Sequence, residues 1–192
     1  PVPVHALGTL IHTIEAYMAA AEATTEPEWL DRAEKMTAFA YKVASKNNWR
    51  IPESYDEEWQ PSLEAGKLCN DGRRYHEGYV TGHSMQLARF ALQVRAGLRS
   101  TGWAVPAYLM ELGTELFERA RVDGWRRTDG APGFSTAVND QGDPVPGEDE
   151  HQQWVVCEGV CATVAVRRAM LDDGHRIDEV EHFEHCYRSF VD

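Results

Sequence analysis

The chain has 192 residues, 43% hydrophobic and 26% charged, in the proportions of an ordinary soluble globular domain, which excludes a disordered, collagenous or coiled-coil chain. Its 19 basic and 31 acidic residues leave a net charge of -12, which would repel nucleic acid and anionic membrane surfaces. No apolar run approaches the roughly 20 residues of a membrane helix and no signal peptide is visible, so a cytoplasmic protein is expected.

Leu10, Ile11, Ile14, Tyr17 and Met18 recur at helical spacing and predict a first helix over 7–23. Thr25 is placed to N-cap a second helix, with Pro27 in its first turn. Trp29, Leu30, Ala33, Met36, Phe39, Ala40 and Val43 form its apolar stripe, and the two helices read as an antiparallel hairpin. Residues 47–74 break the pattern with Trp49, Pro52, Tyr55, Trp59 and Pro61, too aromatic for a slack linker, and read as an ordered rim loop. Further helices are expected over 78–98 and 106–122. Residues 125–146 read as a second long insertion, with turn residues at Asp129-Gly130 and a short hairpin from Gly133 to Val138 turning near 139–142. A fifth helix is expected over 150–171, and a sixth from Asp178. The fold class is therefore all-α. Residues 1–192 form a single domain of about three helical hairpins, half of an (α/α)6 toroid, with the long loops at the end that carries the site. The missing initiator Met at Pro1 and the uncapped end at Asp192 suggest a piece of a longer protein, whose open apolar wall would favour homo-oligomers.

The four cysteines, Cys69, Cys157, Cys161 and Cys186, contain no Cys-x-x-Cys pair, and the expectation is small core residues rather than a metal site. His83 follows Gly82 at a helix start, where a glycine lets a ligand approach. His12 lies on the first helix, and by itself reads as a core or rim histidine. Glu158 sits among apolar residues, where a carboxylate needs a partner. Trp49, Arg50, Tyr55, Trp59 and Trp154 suit stacking on sugar rings, although each alone is equally a loop anchor. Two histidines with an acid nearby are suited to proton transfer beside a carbonyl, because imidazole gains and loses a proton near neutral pH.

Four segments, taken in order, resemble the N-acylglucosamine 2-epimerase superfamily, in particular its mannose and sulfoquinovose isomerase branch. They are His12-Thr13-Ile14-Glu15-Ala16, the stretch from Trp49 through Pro52-Glu53-Ser54-Tyr55 to Trp59, Thr81-Gly82-His83-Ser84-Met85-Gln86-Leu87-Ala88-Arg89, and Gly133-Phe134 through Trp154 to Glu158-Gly159. The resemblance implies an (α/α)6 barrel that needs no metal or other cofactor. It also implies a free monosaccharide as substrate and a proton moved at C2 through a cis-enediol. It matches His83 to a catalytic histidine, His12 to a substrate-binding one, and Glu158 and Trp154 to pocket residues. With the residue reading, the expected site is His83 and Glu158 for catalysis, and His12, Trp49, Arg50, Trp59, Gln86 and Trp154 for substrate binding. Gln86 stands where the family has a glutamate that supports the histidine three residues earlier, Thr81 replaces a proline and Leu87 a tryptophan. The family's second catalytic histidine falls beyond Asp192. The reading favoured is a D-mannose-to-D-fructose type isomerase or a 2-epimerase. The alternatives are a non-catalytic sugar-binding relative, which Gln86 favours, and an unrelated helical interaction module.

Overall fold

A computed structural model describes residues 5–62, 78–126, 132–146 and 151–191. Cys69, the loop after Ser62 and the Asp129-Gly130 turn lie outside the described residues. Apolar residues spaced three and four apart produce six helices: α1 (Leu7–Thr24), α2 (Glu28–Ala44), α3 (Thr81–Ser100), α4 (Tyr108–Gly124), α5 (Gln153–Asp172) and α6 (Glu181–Val191). A 3-10 turn at Asp178–Val180 leads into α6.

Consecutive helices pair as hairpins, α1 with α2, α3 with α4 and α5 with α6. The odd-numbered helices also pack side by side, as do α2 and α4. This is three hairpins of an α/α toroid. The short connections lie at one end. The long ones leave and return at the other, where α2 and α4 end and α3 and α5 begin. Helix α3 is the axis of the core. Met85, Leu87, Ala88, Phe90, Ala91 and Val94 are fully buried along it, and each large apolar side chain so placed stabilises the fold by about 1.5–3 kcal/mol.

Two local readings are corrected and one is extended. Thr25 does not cap α2: its φ of 59° makes it the left-handed terminator of α1, with its N–H on the Ala21 carbonyl. Helix α2 begins behind Pro27 with no side-chain cap. The segment 133–138 is the first arm of the expected hairpin: across the turn Val138 bridges Pro144 and Asn139 N–H bonds Asp143 O. Its first half, β5 (Gly133–Phe134), pairs with β4 (Trp125–Arg126), and its second half, β6 (Ala137–Val138), pairs with β3 (Tyr79–Val80). The turn at 139–142 is present, closed by Gly142 N–H on Asn139 O. Cys157 and Cys161 share one face of α5, as their spacing requires, but that face is exposed together with Val164. The opposite face, with Val155, Gly159, Ala162 and Val166, enters the core.

Buried charge holds the long loops to the helices. Arg50 donates from Nε to Asp123 Oδ2 at 2.7 Å, with side chains only 9% and 6% exposed. Arg126 then donates to the carbonyl of Gly142. Two-residue strands β1 (His5–Ala6) and β2 (Ser54–Tyr55) tie the first loop to the start of α1.

Candidate active site

The start of α3 is fixed from outside the helix. Thr81 donates its N–H to Thr136 O and its hydroxyl to Ser135 O at 2.6 Å. His83 is the third residue of that helix, held at its N-terminal end. The loop that precedes β2 brings Glu53 to it. The Glu53 carbonyl accepts the N–H of Leu7, the first residue of α1, at 2.9 Å. Its side chain, 7% exposed, reaches the other way, with Oε2 2.8 Å from His83 Nδ1 and Oε1 accepting the Val80 N–H at 3.3 Å. One residue thus joins the starts of α1 and α3. The free N–H groups and positive dipole end of α3 favour a carboxylate there.

An ionised carboxylate only accepts hydrogen bonds, so His83 Nδ1 carries the proton. His83 Nε2 has no hydrogen-bond partner among the described residues. Burial pushes the imidazole toward its neutral form. The charge and hydrogen bond of Glu53, with the charge of Glu158, outweigh that and raise its pKa above the ordinary value.

Trp154, the second residue of α5, lies beside His83 with ring centroids 5.5 Å apart. Gly82 is there for the indole. A Cβ at Gly82 would sit 2.4 Å from the Trp154 ring, so the glycine admits a side chain rather than a ligand directly. One turn further along α5, Glu158 receives a forked pair of bonds from Arg89 of α3. Nε and Nη2 both lie 2.9–3.0 Å from its oxygens, and both side chains are 18% exposed. The pair satisfies both charges while leaving an edge accessible.

The structure therefore brings together His83, Glu158 and Trp154. Among the described residues the other expected site residues make no hydrogen bond, ion pair or ring contact with this group, and most are taken up by other partners. His12 is 67% exposed and pairs with Glu15 of its own helix at 3.0 Å. Trp49 packs against Tyr41. Arg50 is taken up by Asp123. Trp59 stacks on His5 at 4.0 Å and abuts Phe39 and Tyr55. Gln86 is buried, and among the described residues it makes no hydrogen bond to His83.

Residue reasoning passed over Glu53 and Arg89. Arg89 had a signal: an arginine between Ala88 and Phe90 in an apolar helix demands an acid, as Glu158 in its own apolar helix demands a cation. Glu53 had only the flanking Pro52 and Tyr55 to mark it, and nothing in the spacing ties it to a histidine 30 positions on.

Residues 7–191 match the family model described as N-acylglucosamine 2-epimerase (GlcNAc 2-epimerase). The chain belongs to this family. Among curated members it is similar to a D-mannose isomerase of Thermobifida fusca, 29% identical over 99% of this chain and 43% of that protein. It is also similar to a D-mannose isomerase of Pseudomonas cannabina pv. alisalensis, 31% identical over 85% of this chain and 39% of that one. The chain thus spans about two fifths of the length of these relatives. A crystal structure of D-mannose isomerase superposes with a TM-score of 0.77 at 23% identity, covering 98% of this chain and 42% of that one. That likeness shows the shared toroidal fold of the N-acylglucosamine 2-epimerase family.

Proposed function

We propose that this protein is a sugar isomerase or 2-epimerase acting on a free aldose, with conversion of D-mannose to D-fructose as the leading reaction. The observation that carries the reading is His83: a partly buried imidazole with one nitrogen bonded to a carboxylate and the other without a partner among the described residues, walled by an indole. An imidazole so placed suits removal of the C2 proton of an open-chain aldose. The aldehyde oxygen takes up a proton as the cis-enediol forms. Return of a proton to C1, with loss of the O2 proton, gives the ketose. Return to the opposite face of C2 gives the epimer.

Trp154 offers an apolar face for the C–H side of the sugar. Glu158, held by Arg89, supplies an acceptor for its hydroxyls, and its charge adds to the proton affinity of His83. His12, exposed on α1 and paired only with Glu15 of its own helix, is proposed as a further sugar-binding residue on the family resemblance alone. The names of the relatives support the sugar and the reaction type. The test is C2-deuterated D-mannose followed by proton NMR. Loss of the label with appearance of fructose is expected, and His83→Ala should reduce it by about 10²–10⁴-fold, the range for general acid–base groups. Equal rates in both proteins would remove the reading.

A further inference from the structure

We propose that Glu53, rather than Gln86, is the positioning residue of His83, fixing the ring proton on Nδ1 and leaving Nε2 as the reactive nitrogen. The catalytic meaning of this rests on the function proposed above. The positioning itself rests on geometry alone. Glu53 is 7% exposed and its two carboxylate oxygens are both assigned: Oε2 to His83 Nδ1 at 2.8 Å, Oε1 to the Val80 N–H at 3.3 Å. Its own backbone is anchored by the Leu7 N–H, and the loop behind it by the pairing of His5 with Tyr55 and Ala6 with Ser54. Gln86, one turn along α3 from His83, does not bond to the ring. The charged partner of the histidine therefore comes from the loop and not from the helix, and the neutral amide at position 86 is no argument against proton transfer.

The second oxygen makes the inference specific. The Val80 N–H is a buried donor and requires an acceptor. In a Glu53→Gln variant the amide oxygen satisfies Val80, which turns the amide NH2 toward His83. An NH2 group donates, so His83 Nδ1 becomes the acceptor and the ring proton moves to Nε2. The substitution changes one atom and inverts the tautomer. A histidine with its proton on the reactive nitrogen does not serve as a base, and loss of an orienting carboxylate in this way costs up to about 10⁴-fold in rate.

Among the described residues the charged groups acting on His83 are Glu53 from the loop and Glu158 from α5, the latter paired with Arg89 of α3. Removing the Glu53 charge leaves burial as the larger influence and lowers the proton affinity of the ring. The experiment is long-range proton–nitrogen NMR of the 15N-labelled chain across pH, on the wild type, Glu53→Gln and Gln86→Ala. The expected result is an Nδ1–H ring in the wild type, titrating above the ordinary histidine value. Glu53→Gln should give an Nε2–H ring titrating lower, and Gln86→Ala the wild-type signature. A wild-type ring carrying its proton on Nε2 overturns the inference without any variant having to fold. So does a Glu53→Gln ring unchanged in tautomer and titration, or a Gln86→Ala ring that shifts as Glu53→Gln was expected to. In the C2-exchange assay Glu53→Gln should lower kcat by about 10²–10⁴-fold with little change in KM. An Nδ1–H wild-type ring in a protein that exchanges no C2 proton of any aldose keeps the positioning inference and removes the isomerase reading.

Discussion

Helix α3 is tied by charge at both ends, and the two ends are built differently. At its start, His83 bonds Glu53 through one nitrogen and leaves the other without a partner among the described residues. At its far end, Asp173, just past α5, receives both Arg95 and Arg99, and Arg99 also reaches the Asp172 carbonyl. At the far end two guanidiniums converge on one carboxylate, and the contact clamps α5 onto α3. The first end keeps one unsatisfied nitrogen beside an indole. A structural ion pair closes on itself, whereas a site leaves capacity for a substrate.

Substitutions at the two ends should separate along that line. The largest effect is on chemistry at the first end, where His83→Ala should lower C2 exchange by about 10²–10⁴-fold while circular dichroism keeps the helical signature of the wild type. At the other end Asp173→Ala should leave the His83 NMR signature unchanged and lower stability by about 1.5–3 kcal/mol, the range for hydrogen bonds to charged groups, as read by urea denaturation. Between them, Gly82→Ala should displace the Trp154 ring and lower stability by about 1–3 kcal/mol, with a change in Trp154 fluorescence.

The ends also titrate in opposite directions. His83 is raised above its ordinary 6.5: burial opposes this, but the charge and hydrogen bond of Glu53 and the charge of Glu158 outweigh it. The stability it adds is therefore full below about pH 6.5 and is lost as pH climbs through the raised value. Asp173 is lowered below 3.8, chiefly by the Arg95 hydrogen bond. Its contribution is full above that value and is lost as pH falls through the lowered one. His83→Gln should flatten the alkaline limb of a stability–pH curve, and Asp173→Asn the acid limb. The smallest effect belongs to His12→Ala, an exposed change expected within about 0.5 kcal/mol of wild-type stability, any loss appearing in KM for the sugar.

The helices were legible because their apolar periodicity is strong. The hairpin order and the end at which the long loops gather followed from loop lengths alone. What escaped depends on contacts distant in sequence. Val138 meets Pro144 across the turn that the sequence marks at 139–142, yet the other partners of Gly133 to Val138 lie at Trp125–Arg126 and Tyr79–Val80, which no local pattern announces. Cys157 and Cys161 have core-like neighbours, and periodicity placed them on one face. It did not say which face, and the bulkier Val155 and Val166 took the buried side. His83, Trp154 and Glu158 were singled out from the residues and from family motifs, and they fall within reach of one another. Their supports, Glu53 and Arg89, lie 30 and 69 positions away from the groups they hold. A motif records spacing within one segment, so a partner delivered by another segment is missing from it.

The central claim is that His83 moves a proton at C2 of a sugar. The most direct measurement is proton NMR of D-mannose in D2O with the wild-type protein and with His83→Ala. The account predicts that the C2 proton signal decays and fructose appears with the wild type, and that both stop with the variant. Decay at the same rate in both, or none with a folded full-length protein, would contradict it.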